Sequence, residues 1–202
     1  PQGRAAARRG MKPINVGLLG IGTVGGGTWD VLNRNAGEIR RRAGRAIRIT
    51  RIADKDLKKA RRLAGGRARV SGSARDVVRA PDIDIIVELI GGTGIARELV
   101  LEAIAHGKHV VTANKALLAR HGNRIFAAAQ KKGVMVAFEA SVGGGIPIIK
   151  ALREGLAANR IEWIAGIING TSNYILSEMR DKGLAFGAAL ADAQARGYAE
   201  SD

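Results

Sequence analysis

The stretch Gly20-Ile21-Gly22-Thr23-Val24-Gly25 constrains this chain more than any other. It follows directly on an apolar run, INVGLLG at 14–20, and opens a segment of helical periodicity, so a G-x-G-x-x-G spacing sits where a strand must turn into a helix. Each glycine has a physical task in that setting. The first permits the tight turn, the second lets a pyrophosphate approach the backbone, and the third lets helix and strand pack closely. The helix N-terminus behind it offers free N–H groups and a partial positive charge to phosphates. Glycine-rich turns also arise as plain bends, and it is the setting between a buried strand and a long helix that favours a dinucleotide.

The same rhythm continues along the chain. Apolar runs at 47–53, 83–91, 109–113 and 134–140 read as strands buried on both faces, and stretches at about 23–43, 55–64, 73–79, 95–106 and 115–132 read as helices. Ser73 with Asp76 makes a capping-box pattern, and Gly107 and Gly133 stand where helices stop. Right-handed crossovers then give an α/β fold, a doubly wound parallel sheet of Rossmann-like type whose ligands bind at the carboxyl ends of the strands.

Beyond residue 140 the pattern changes to a glycine loop, SVGGG, a helix with Pro147 near its first turn, a strand over 161–169, and helices at about 173–182 and 186–196. The expected organisation is a basic tail or expression remnant over 1–12 and a dinucleotide-binding domain over 13–145. The start of a second, α+β substrate and dimerisation domain follows over 146–202 and is cut off where the chain ends.

Lys and Arg number 33 against 18 Asp and Glu, a net charge of +15, which suits nucleic acid, an acidic membrane surface or a phosphorylated small molecule. Much of the excess lies in Arg4, Arg8 and Arg9 of the tail and in helical faces at 40–42 and 58–62. Only two Trp, two Tyr and three Phe are present to stack on bases. A solvated basic face and a phosphorylated ligand are therefore expected, and a nucleic-acid partner is not. No apolar run approaches the roughly 18 residues of a membrane span, and the stretch before Met11 lacks the apolar core of a secretory signal, so a cytoplasmic protein is expected.

Two further residues stand out at strand ends. Asp54, closing the second strand, is placed to meet an adenosine ribose, while Lys55, Lys58 and Lys59 just after it suit a 2′-phosphate, so NAD and NADP both remain open; Asp54 also suits a plain helix cap. Cysteine is absent, which removes thioester chemistry, and His106, His109 and His121 lack supporting ligands for zinc. Glu178 and Asp202 stand four residues after Tyr174 and Tyr198, where a tyrosine and lysine pair would need its lysine. Lysine and carboxylate chemistry remains. Lys115, after the strand HVVTA and at the mouth of the next helix, is the best acid–base candidate, because a cation at a helix N-terminus is unfavourable unless a site uses it.

GLLGIGTVGGG, VELIGG, VVTANKALLA, EASVGGGIPII and NGTSNYIL, in this order, resemble the amino-terminal half of the homoserine dehydrogenase family, from about Ile14 to Asp202. The resemblance implies interconversion of L-homoserine and L-aspartate 4-semialdehyde with NAD(P), in the synthesis of threonine, methionine and isoleucine, by a homodimer. It implies that Ile21, Thr23 and Val24 lie against the dinucleotide, that Gly92 and Thr93 lie near the nicotinamide, and that Lys115 contacts coenzyme and substrate. Glu139, Val142, Gly144 and Ile146 match positions that hold a monovalent cation, commonly sodium, largely through carbonyl oxygens; SVGGG as a simple hinge is the competing reading.

By the same resemblance Asn169, Gly170 and Thr171 form a substrate-side loop, although Thr171 or Ser172 also suits a helix cap. Ala193, Gly197, Tyr198, Ala199, Glu200 and Asp202 open the family's active-site signature, with Glu200 on the substrate ammonium group. The family's second lysine lies past that point, so the 202-residue chain is expected to bind coenzyme and to turn over homoserine poorly. A non-catalytic dinucleotide-sensing module is the alternative.

Overall fold

Six parallel strands form one sheet in the computed structural model, which describes residues 11–167 and 169–199. They are β1 (Ile14–Leu19), β2 (Ile47–Ala53), β3 (Arg69–Ser71), β4 (Ile85–Glu88), β5 (His109–Thr112) and β6 (Val136–Ala137). Their order across the sheet is β3-β2-β1-β4-β5-β6, and every neighbouring pair is parallel. The winding reverses between β1 and β4, which opens a crevice at the carboxyl ends of those two strands.

Alternation along the strands divides the core into two layers. Leu18, Ile52 and Val87 pack with Trp29 and Ala60 on one face, while their neighbours Leu19, Ala53 and Ile86 pack with Val77, Leu99 and Leu117 on the other. Leu18, Ile52, Ile86 and Leu117 are fully buried, each contributing on the order of 1.5–3 kcal/mol. The layers are supplied by α1 (Thr23–Arg34), α3 (Leu57–Ala64), α4 (Ala74–Arg79), α5 (Ile95–Ala105) and α6 (Lys115–Lys132), while α2 (Ala36–Ala43) buries no residue. Side chains of Asp56, Ser73 and Asn114 accept backbone N–H groups at the starts of α3, α4 and α6. Gly133 closes α6 at a φ of 71°, a conformation that a Cβ would oppose.

The structure departs from the sequence expectations in four places. The helix expected over 23–43 breaks at Asn35, whose φ of −100° and ψ of 17° interrupt it between α1 and α2. β3 was not foreseen: three residues give no period to read, and it forms because β2 offers it an edge. The helix expected after Pro147 is one short turn, α7 (Ile148–Lys150), running into a wide π-type turn at Ala151–Gly155. The strand expected over 161–169 is absent among the described residues: 161–167 and 169 join no ladder. A strand is stabilised by pairing, and no other strand lies beyond β6 among the described residues.

The chain divides into two units, one reaching Gly155 and one beginning at Leu156. In the second, α8 (Gly170–Lys182) and α9 (Phe186–Ala195) pack around Ile175, Ala189 and Ala193.

Candidate functional site

The glycine loop is built as tightly as its spacing requires. Gly20 has a φ of 91°, and a Cβ there would lie 2.6 Å from the Leu89 carbonyl oxygen. A Cβ on Gly25 would lie 2.1 Å from the Gly20 carbonyl oxygen, so the third glycine lets the first turn of α1 close onto the loop. Gly22 differs: a Cβ there would meet nothing within 4 Å, because this glycine faces open space at the start of α1. No side chain caps α1 and no acid lies in its first turn. An uncapped helix start with an open backbone approach fits a pyrophosphate. Ile21 is buried, whereas Thr23 and Val24 are exposed on the open side.

Asp54 ties this loop to the end of β2. Its Oδ2 accepts the Ile21 N–H at 2.8 Å and its Oδ1 accepts the Asp56 N–H at 2.8 Å. A carboxylate has about four acceptor sites, so two remain for ribose hydroxyls. A cleft of about 530 Å³ opens beside it, lined by Gly20, Gly22, Asp54, Lys55, Ser73 and Arg75 among others, within the size range of small-ligand sites. Of the three lysines suggested for a 2′-phosphate, Lys55 lines this cleft and Lys58 and Lys59 do not. Arg75 is held by Glu98 at 2.7 Å and by Glu102 at 3.3 Å.

On the other side of the crevice lies a network that the sequence reading missed. Glu88, the last residue of β4, is fully buried. Its Oε1 accepts the N–H groups of Ile90 and Gly91 at 2.9 and 3.2 Å, and its Oε2 accepts the Thr112 hydroxyl at 2.7 Å. The Thr112 oxygen accepts the Asn114 N–H at 3.0 Å, and the Asn114 amide donates to the Gly92 carbonyl at 2.7 Å. The signal in the sequence was the acid itself, a carboxylate inside the apolar run IDIIVELIG, where a charge is retained only if donors surround it.

Gly92 and Thr93 therefore sit in the β4–α5 loop, stitched to the segment that starts α6, and Lys115 is the first residue of that helix. Lys115 is exposed and its ammonium has no protein partner among the described residues. Glycine loop, Asp54, Gly92, Thr93 and Lys115 thus all lie at the carboxyl edge of one sheet.

Of the residues expected at a cation loop, Glu139 has its carboxylate engaged: its two oxygens accept the N–H groups of Ile149 and Lys150, each at 2.9 Å. The carbonyls of Glu139 and Ile146 accept the N–H groups of Val142 and Ile148. No backbone N–H among the described residues donates to the carbonyls of Val142 and Gly144. Two free carbonyls in an exposed loop match the hard-oxygen chemistry of a monovalent cation.

In the second unit Asn169 caps α8, its Oδ1 accepting the Ser172 N–H at 2.9 Å, with Gly170 as the first helical residue. The Thr171 hydroxyl donates to the Tyr198 carbonyl, so the proposed substrate loop meets the start of the Gly197-Tyr198 signature. The Tyr174 hydroxyl donates to Asp192, which Arg196 also grips at 3.0 Å. That hydrogen bond pushes the Tyr174 phenol up to about 12 and holds the Asp192 carboxyl below its ordinary value. Glu200 and Asp202 lie outside the described residues.

Comparison with known proteins matches two family descriptions along the chain. Residues 20–139 match the family described as homoserine dehydrogenase, NAD binding domain, and residues 147–202 match the family described as homoserine dehydrogenase. Homoserine dehydrogenases of Pseudomonas aeruginosa and Neisseria gonorrhoeae are 62% and 63% identical over 95% of this chain, which covers 44% of each. The chain thus spans a little under half the length of these curated relatives. A crystal structure of a homoserine dehydrogenase from Thiobacillus denitrificans superposes with a TM-score of 0.88 at 70% identity, over 96% of this chain and 44% of that one. A hyperthermophilic archaeal homoserine dehydrogenase in complex with NADPH shares the fold, with a TM-score of 0.79 at 24% identity over 95% of this chain and 63% of that one.

Proposed function

Since the chain belongs to the homoserine dehydrogenase family, we propose that it forms the coenzyme half of an NAD(P)-dependent oxidoreductase interconverting L-homoserine and L-aspartate 4-semialdehyde. The observation that carries this reading is the crevice between β1 and β4, where an uncapped α1, an open Gly22 and Asp54 meet at one strand edge. The domain reading keeps residues 13–145 as the dinucleotide-binding domain and 146–202 as the opening of the substrate and dimerisation domain.

The α1 N-terminus and the loop from Gly20 to Gly25 would hold the pyrophosphate, and Asp54 and Lys55 the adenosine ribose and any phosphate on it. Bound coenzyme supplies the hydride acceptor or donor. Its other half would lie at the carboxyl ends of β4 and β5, beside Gly92, Thr93 and Lys115, a reading the strand order supports. Lys115, exposed at that end, would hydrogen-bond the reacting oxygen and exchange its proton with it. Asn169, Gly170 and Thr171 would offer polar groups to the substrate, and Glu200 would pair with its ammonium group. The carbonyls of Glu139, Val142, Gly144 and Ile146 would hold a sodium ion. Assembly as a homodimer, a cytoplasmic location and a place in threonine, methionine and isoleucine synthesis complete the proposal.

Trp29, buried in α1, gives the test. Titrating the 202-residue chain with NADPH and exciting the tryptophans is expected to show saturable energy transfer to the nicotinamide, displaced by NADP. Absence of saturation up to millimolar coenzyme would remove the reading. Homoserine-dependent NADP reduction, measured on the whole protein containing this sequence, tests the reaction.

A further inference from the structure

We propose that Glu88 is a positioning residue that locks the two loops on the nicotinamide side of the crevice into one unit. The inference rests on the coenzyme reading above. Its basis is a carboxylate with no exposed surface and no cation bonded to it among the described residues, satisfied instead by three donors from two different strands' ends. Burying such a charge is costly, and a Leu or Met would fill the same core volume without that cost. What the carboxylate adds is direction. Its Oε1 sets the backbone of Ile90 and Gly91, which leads into Gly92 and Thr93. Through the Thr112 hydroxyl, its Oε2 orients the acceptor for the Asn114 N–H, and Asn114 in turn caps α6 and binds the Gly92 carbonyl.

The circuit closes on itself, from Glu88 to Thr112, Asn114, Gly92 and back along the loop to Glu88. Displacement of either loop must break at least one of these hydrogen bonds. The glycine loop is held separately: the Gly20 N–H donates to the Ala53 carbonyl, Asp54 accepts the Ile21 N–H and donates its own N–H to the Ser71 carbonyl, and of the circuit's residues Ile90 alone lines their cleft. Glu88 therefore governs where the β4–α5 loop and the first turn of α6, carrying Lys115, sit relative to a dinucleotide already anchored at its other end.

That separation supplies a test that a merely structural role does not pass. NADPH and the fragment adenosine 2′,5′-bisphosphate are titrated against the wild-type chain and against Glu88→Gln, Glu88→Ala, Thr112→Val and Thr112→Ser. The expected result is NADPH affinity about tenfold weaker in Glu88→Ala and Thr112→Val, the size of a lost buried hydrogen bond, with fragment affinity unchanged. Thr112→Ser restores wild-type binding, and Glu88→Gln falls between. Amide exchange is expected to speed up at Ile90 and Gly91 in Glu88→Ala and at Asn114 in Thr112→Val, while Ile21 keeps its protection. Parallel loss of both ligands, or NADPH affinity unmoved in Thr112→Val, would overturn the assignment. If Glu88→Ala does not fold, Glu88→Gln and Thr112→Val, which keep the volume, carry the comparison. Wild-type chain that binds neither ligand removes the coenzyme reading itself, and this inference with it.

Discussion

The Asp54 carboxylate accepts the backbone N–H of Ile21 at 2.8 Å, joining two strand ends that are 33 residues apart. The acid proposed to meet a ribose thus also sets the height of the glycine loop. Asp54→Ala leaves two backbone donors without their acceptor, at a cost of about 1–3 kcal/mol where they are buried. The expected outcome is a lower melting temperature together with weaker coenzyme binding. NADH should suffer more than NADPH, because the carboxylate repels a 2′-phosphate and Lys55 beside it attracts one. Dissociation constants for both coenzymes check this; equal losses would show that Asp54 acts on the loop alone.

Gly22 and Gly25 predict opposite behaviour under the same substitution. Gly25→Ala drives a Cβ to 2.1 Å from the Gly20 carbonyl oxygen, within backbone that cannot swing aside. A loss of roughly 1–3 kcal/mol, the cost of overpacking, is expected in chemical denaturation. Gly22→Ala meets nothing within 4 Å, so its stability should stay within about 0.5 kcal/mol of wild type. Coenzyme affinity should nevertheless fall at least tenfold, since the methyl group occupies the approach of the pyrophosphate. Undiminished NADPH binding by Gly22→Ala would place the phosphates elsewhere.

The division between what the chain disclosed in its letters and what it did not follows from range. The glycine loop, β1, β2 and the cap of Ser73 are local, set by residues a few positions apart, and each was legible. The position of Lys115 at a helix start was legible in the same local way. Glu88 shows the limit: its donors come from Ile90, Gly91 and Thr112, and only folding reveals that β5 lies beside β4 in the register Glu88 to Thr112. The strand expected over 161–169 failed for the related reason that apolar alternation signals willingness to pair and says nothing of a partner.

The Tyr174 and Asp192 pair gives a pH dependence with a defined sign. Hydrogen bonding to Asp192 raises the phenol from 10.0 to about 12, so the stabilisation it contributes is complete below pH 10 and is lost as pH climbs through about 12. On the acid side Asp192 is lowered by the Tyr174 hydrogen bond and then by Arg196. Its contribution is present above the ordinary value of 3.8 and is lost as pH falls through its lower folded value. Phenolate absorbance should show one of the two tyrosines titrating near pH 12, and Asp192→Asn should bring that titration down. A wild-type chain without a Tyr174 step near pH 12 would contradict the pairing.

Lys115 separates stability from chemistry. It is exposed, has no ion-pair partner among the described residues, and stands at the positive end of the α6 dipole, where a cation is unfavourable by about 0.3–1 kcal/mol. Lys115→Met removes that repulsion and keeps most of the stem, so the melting temperature should hold or rise slightly. Turnover should move the other way: losing a positioned acid–base group costs roughly 10²–10⁴-fold, to be read as homoserine-dependent NADP reduction by the whole protein. Lys115→Arg, which keeps the charge but does not give up its proton near neutrality, should rescue coenzyme binding without rescuing kcat. A Lys115→Arg enzyme with wild-type kcat would reduce the residue to an electrostatic contact, and a Lys115→Met enzyme with wild-type kcat would remove it from the reaction.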